Sequence, residues 1–289
     1  MKKTIYIIFI VIFILNCTKI SNKVIYTNSI SDITIKNNEE YYAILNMSIG
    51  DADCLTYFFS NSPISVDERN GYFLAKTNYK TGKNEIISTL PRLGVKCIYK
   101  KGKLLVVEPE DFSYIIDEAN NFKMENRLVF VRSFSTIFDF IVPDYKVISD
   151  DNGFYEYDLI NNAITYLKSP SFHIKDAKYN PVDNTVIAYI GASNTADNMA
   201  GDIYLIKNDG SGNTLVVSGY NAEQLYWEPE GNEILFINLN AIYKINKDGM
   251  GLIKIREHNL ELDKYYLKKL YYNCFIYIGK ENKMNYITF

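Results

Sequence analysis

Two histidines, His173 and His258, are the only imidazoles in the 289 residues, and they stand far apart in the chain. Acid–base or metal chemistry draws on several His or carboxylate side chains gathered about one point. Two imidazoles at this spacing could meet in a ring-like fold, but no third ligand is visible. The four cysteines, Cys17, Cys54, Cys97 and Cys274, form no Cys-x-x-Cys pair, which argues against a zinc cage. Cys54, Cys97 and Cys274 lie in apolar or strand-like stretches, where a thiol serves as a small buried hydrophobe. Asp209-Gly210 and Asp248-Gly249 supply one carboxylate per turn, too few to hold calcium. No Gly-x-Ser-x-Gly elbow and no glycine-rich phosphate loop is present. The residues therefore assign no catalytic group, no metal and no cofactor.

The elements that would position any site are strands. Tyr occurs 25 times, and 47% of residues are hydrophobic, a composition rich in strand formers and ample for one large core. No stretch after residue 17 sustains a helical period. Charges of both signs are spread along a chain of net charge −3, with no basic stripe to suggest nucleic acid.

The first residues read as an export signal. Lys2 and Lys3 precede an uninterrupted apolar run over residues 5–15, about half the length that spans a bilayer as a helix. Ile14-Leu15-Asn16-Cys17 resembles a bacterial lipobox. The resemblance implies cleavage before Cys17 and acylation of its thiol, with Asn16 departing from the usual small residue. Removing residues 1–16 takes away Lys2 and Lys3 and moves the net charge from −3 to −5. Thr18, in place of the Asp that retains such proteins in the inner membrane, points to the outer membrane. The organisation expected is a signal peptide over 1–16, then a lipidated N-terminus, short tether and closing strand over 17–40. A propeller fills 41–289.

That propeller is read from a repeat. Asp202–Gly212 and Ala241–Gly251 are matched copies, each a short alternating strand that ends in Asp-Gly-x-Gly. Asp-Gly suits a tight hairpin. Upstream of each lies strand, proline turn, strand: Ala177–Tyr189 and Leu225–Phe236. The unit is four strands joined by hairpins, the unit of a propeller blade. A third-strand tyrosine anchors the weaker copies: Tyr72, Tyr114, Tyr155, Tyr204, Tyr243 and Tyr286, at intervals of 42, 41, 49, 39 and 43. The fold expected is all-β, a six-bladed propeller of four-stranded antiparallel blades. Because the sequence stops three residues past Tyr286, Val24–Tyr26 or Ile33–Ile35 is expected to complete the last blade and close the ring. The long loop 191–201 is a candidate partner surface.

Over residues 177–255 the sequence resembles the TolB-type propeller family. Trp227-Glu-Pro-Glu-Gly231 and the degraded Tyr179-Asn-Pro-Val-Asp183 match its proline turn, and Ile203–Gly210 and Ile242–Gly249 match its Asn-x-Asp-Gly strand. The resemblance implies the fold, and it implies that Trp227 packs between blades. It leaves function open. The reading preferred from sequence is a lipid-anchored envelope protein, with a non-catalytic scaffold for an envelope protein or polymer and no nucleic-acid role. The alternative is a propeller enzyme such as a polysaccharide lyase or cyclase, with its site at the central channel.

Overall fold

The computed structural model describes residues 26–37, 39–48, 71–78, 84–90, 96–107, 112–129, 136–142, 144, 146–150, 154–168, 173–192, 201–258, 260, 265–279 and 284–289. Cys17, Cys54, the export segment and residues 193–200 of the long loop lie outside these. The described residues form twenty-three strands and no helix.

The strands build six antiparallel sheets. Blade one is β1 (Tyr26–Ile35), β2 (Glu40–Ser48), β3 (Gly71–Asn78) and β4 (Asn84–Leu90). Blade two is β5 (Lys96–Lys100), β6 (Lys103–Val107), β7 (Phe112–Asp117) and β8 (Lys123–Val129). Blade three is β9 (Thr136–Ile141), β10 (Lys146–Asp150), β11 (Phe154–Asp158) and β12 (Ala163–Lys168). Blade four is β13 (His173–Tyr179), β14 (Val186–Ala192), β15 (Gly201–Lys207) and β16 (Thr214–Val217). Blade five is β17 (Gln224–Trp227), β18 (Glu233–Ile237), β19 (Ala241–Asn246) and β20 (Ile253–Glu257). Blade six is β21 (Tyr265–Tyr271), β22 (Cys274–Gly279) and β23 (Met284–Thr288). All six repeat tyrosines fall on the third strand of their blade.

The first strand of each blade lies innermost. β1, β5, β9, β13, β17 and β21 neighbour one another in that order, and β21 returns to β1. The molecule is therefore a closed six-bladed ring. The N-terminal strand takes part in closure, but differently from the expectation. Ile33–Ile35 belongs to β1, which pairs with β2 in blade one, and blade six keeps three strands among the described residues. The physical reason lies in the inner ring. Without β1 there would be a gap between β21 and β5. Among the described residues β23 is the outermost strand of blade six, and there Arg256 of blade five reaches the Thr288 carbonyl. Val24 and Ile25 of the other closing candidate lie outside the described residues.

Neighbouring blades share separate hydrophobic cores. Phe154, Tyr179 and Tyr189 lie in the one between blades three and four, and Ile203, Trp227 and Phe236 in the one between four and five. The repeat turns interlock these layers. Gly210 and Gly249 have φ of 81° and 84°, a region costly for other residues. Each also abuts the preceding blade: a Cβ at Gly210 would sit 2.4 Å from the Leu167 carbonyl oxygen, and one at Gly249 2.8 Å from that of Val216. The glycines are thus required twice, by the turn and by the seam.

Candidate functional site

The inner strands enclose a central channel. Its middle holds a cavity of about 360 Å³ with lining from all six blades, and a second cavity of about 360 Å³ forms a mouth where the inner strands end. Lys100, Lys101, Lys178, Tyr226 and Tyr271 line both, so the two adjoin.

Charge is sorted around this channel. Blade six contributes Lys269, blade one Lys36, and blade two Lys96, Lys100 and Lys101, with no carboxylate in the lining of that arc. The opposite arc, blades three to five, contributes Asp139, Asp176 and Glu223 against Lys175 and Lys178. Seven ammoniums thus face three carboxylates, an excess of +4 in a chain whose net charge is −3. Glu40 and Glu118 stand behind Lys36, which pairs with both; counting them leaves +2.

Several of these side chains also hold the ring. Thr34 Oγ1 accepts the Tyr99 amide at 2.9 Å, and Asp139 Oδ2 the Tyr179 amide at 3.1 Å. Asp176 Oδ2 accepts the Leu225 amide at 3.1 Å, and Gln224 Oε1 the Leu270 amide at 3.0 Å. In each case a channel-lining side chain latches onto the inner strand of the next blade, leaving a buried donor satisfied. The two aspartates have a second task. Asp139, 1% exposed, pairs with Lys100 at 3.1 Å, and Asp176 pairs with Lys178. Buried carboxylates, themselves fixed by backbone amides, thereby pin two ammoniums toward the channel.

The remaining wall is aromatic. Tyr226 and Tyr271 pack at 4.8 Å between ring centroids. Burial first, then the negative and hydrogen-bonding groups nearby, pushes the Tyr226 phenol well above its ordinary value. Burial likewise raises Tyr271. Both stay neutral near pH 7, suited to donating hydrogen bonds rather than taking protons. Burial opposes the Lys36 ammonium, yet the hydrogen bonds it donates to Glu118 and Glu40 outweigh it and raise its pKa. Ammoniums and neutral phenols around one cavity put hydrogen-bond donors on its wall.

The residues singled out from sequence fall elsewhere. His173 is exposed at the start of β13. His258 is buried in blade five, its Nε2 at 3.1 Å from the Asn238 carbonyl and its Nδ1 accepting the Leu260 amide at 3.4 Å. Burial lowers its pKa. Its two nitrogens hold local backbone, and no group of three metal-capable side chains occurs among the described residues. Asp209 and Asp248 accept the amides of Ser211 and Met250 within their own turns. Cys97 and Cys274 are buried, and burial pushes the Cys274 thiol up to about 12. Trp227 is 3% exposed, and its indole donates to the Lys178 carbonyl of the neighbouring blade at 3.1 Å. That is the inter-blade position the resemblance implied. The lysines went unseen in the sequence. The usable signal was their recurrence in or beside the first strand of a blade, visible only once the blades are aligned.

No family model matches the chain, and no curated protein does. Solved structures match its fold. A chain of a mitotic checkpoint complex has a TM-score of 0.55 at 11% identity, over 93% of this chain and 95% of that one. A putative TolB from Agrobacterium tumefaciens scores 0.51 at 14% identity, over 73% and 86%. An oligogalacturonate lyase in complex with manganese scores 0.51 at 12% identity, over 76% and 68%. At these identities the likeness is one of fold: the chain is a β-propeller similar in architecture to a TolB-like protein and to a lyase of unrelated sequence.

Proposed function

We propose that this protein is a lipid-anchored propeller of a bacterial cell envelope, and that it acts as a non-catalytic binding scaffold with the central channel as its binding site. The observation that carries the reading is the seven-to-three excess of lysines over carboxylates lining the channel of an acidic chain. The lipobox-like Ile14–Cys17 and the fold shared with a TolB-like protein support the envelope location. The partner is an envelope protein or polymer that presents negative charge to the channel, and the anchor favours the outer membrane.

Two measurements test this. Cells expressing the chain are labelled with palmitate; label should enter the wild type and vanish in Cys17→Ala. The labelled protein is then crosslinked in cells, where a partner band should appear and weaken in Lys100→Glu. An unlabelled wild type defeats the anchor, and a monomer alone after crosslinking defeats the scaffold.

A second reading has one observation in its favour, the fold shared with an oligogalacturonate lyase. Here the same channel would cleave an acidic polysaccharide. Incubation with oligogalacturonate, with and without manganese, followed by chromatography decides it. Unchanged substrate in both arms removes the lyase reading.

A further inference from the structure

We infer that the blade six–one–two arc of the channel is a binding site for a small organic anion with two or more carboxylate or phosphate groups. Lys269, Lys100 and Lys101 are its ammonium donors and Tyr271 its aromatic wall. This rests on the reading of the channel as the binding site and names what the site takes.

Four observations converge on it. The first is the arc itself, whose five lining lysines outnumber the three carboxylates paired with them, Glu40 and Glu118 on Lys36 and Asp139 on Lys100. Like charges crowded in a concave, partly desolvated space repel, and their shared field draws an anion into it. The second is preorganisation. Lys100 is held at 3.1 Å by Asp139, a carboxylate already latched to the Tyr179 amide. Such a lysine loses little further freedom when a ligand arrives. The third is backbone. Lys101 has φ of 46° and Gly102 φ of 81° in the hairpin between β5 and β6. A two-residue turn of this kind prefers Asn or Asp followed by Gly. Lys in the left-handed region is uncommon, and here it sets an exposed ammonium where the cavity meets its mouth. The fourth is size. A cavity of about 360 Å³ lies at the lower end of small-molecule pockets and holds about a dozen waters. That suits one compact molecule, or the terminal unit or side chain that a larger envelope partner presents at the mouth, and it keeps the partner's folded body outside the cavity.

The two arcs also orient the ligand. Its anionic groups face blades six, one and two, because the opposite arc sets three carboxylates, Asp139, Asp176 and Glu223, against two lysines, Lys175 and Lys178. A monoanion engages one lysine and gains little over water. Two or more anionic groups are needed to span Lys269 and the Lys100–Lys101 pair.

The test is isothermal titration of the full chain, purified in detergent, at low salt. Citrate serves as the carboxylate probe, inorganic pyrophosphate as the phosphate probe and acetate as the monoanion. Saturable binding of citrate or pyrophosphate, at least tenfold tighter than acetate, supports the inference, and the stronger of the two names the source chemistry. Binding should weaken about tenfold in the Lys101→Gln, Lys269→Gln double variant and hold in Lys254→Gln on an outer strand. It should also weaken as salt rises past the range where screening sets in. Lys101 is exposed at a turn, so Lys101→Gln alone keeps the test valid should the double variant fail to fold; about threefold weakening is expected. Absence of saturable binding by both probes overturns the inference, as does binding indifferent to these variants. Palmitate labelling and crosslinking read the scaffold independently, so its failure is distinguishable from this one.

Discussion

Between blades four and five, turns do the joining; between blades one and two, charge does. At the first seam Asn180 Nδ2 donates to the Gly231 carbonyl at 2.7 Å, the Trp227 indole to Lys178, and Asp176 accepts from Leu225. At the second, the Glu118 carboxylate accepts from Lys36 and, at 2.7 Å, from the Tyr99 hydroxyl, while Thr34 takes the Tyr99 amide. Both seams hold the same ring geometry. They differ in what a change can break. Seam four–five has ionised groups too, in Asp176 and the Lys175–Glu223 pair, but its interlock at Gly231 and Trp227 depends on shape and backbone conformation, while seam one–two centres on the ionised Glu118. Glycine turns leave a mark in sequence, and a lysine–glutamate–tyrosine cluster leaves none.

The largest effect should come from emptying the turn seam. Trp227→Ala removes a nearly buried indole from the core between blades four and five and should cost about 3–5 kcal/mol. Trp227→Phe keeps most of the packing and should cost about 1 kcal/mol for the lost hydrogen bond. Chemical denaturation of each variant gives the values. Near-equal losses would place the indole's role in its hydrogen bond and not in filling the seam.

Gly231→Ala sharpens the same side. Gly231 has φ of 69°, and an added Cβ would sit 2.3 Å from Asn180 Oδ1. Left-handed backbone costs about 1–2 kcal/mol for a residue with a side chain, and the clash adds to it, so about 2–3 kcal/mol is expected. Asn180→Ala removes the clash along with the bond to the Gly231 carbonyl. In the double variant the two costs should therefore sum to less than their separate values. Additivity would mean that the turns do not interlock.

How much was legible follows the same division. The Tyr series, the proline turns and the Asp-Gly pairs located every third strand and the six blades, because each turn type demands its residues locally. β1 was misplaced as a partner for blade six. Its register with β2 shifts at Thr27/Ser29 and again at Ile30/Asp32, so it lacks the clean alternation that marks a strand beside its neighbour. The channel was illegible for another reason. Lys36, Lys100, Lys178 and Lys269 are separated by most of a blade or more, and net charge averages over faces that the fold keeps apart. Only the ring brings them together, and only the inner strands show which face each occupies.

Glu118→Gln is the counterpart on the charge seam. The Lys36–Glu118 pair is partly exposed, with side chains 19% and 24% accessible. Its loss should cost about 1 kcal/mol at neutral pH, the upper end for pairs open to solvent, well below the turn-seam variants.

The pH response is smaller still and separates the seams most cleanly. Burial favours the neutral form of Glu118, but hydrogen bonds from Lys36 and Tyr99 outweigh it and hold its pKa below the ordinary 4.5. A carboxylate lowered in this way binds its proton more readily in the unfolded chain. Its contribution is therefore complete above 4.5 and is lost as pH falls through the folded value. Lys36, raised above 10.5, contributes fully below that value, and its share is lost only as pH rises past its own folded value. The difference in Tm between wild type and Glu118→Gln should thus be constant from neutrality down to about pH 5 and shrink as pH falls below 4.5 through the lowered folded value. The difference for Trp227→Phe should not move over that range, because an indole and a carbonyl oxygen do not titrate there. A Glu118→Gln difference that does not shrink as pH falls below 4.5 would show that seam one–two is held by packing around Tyr99, with the carboxylate a bystander.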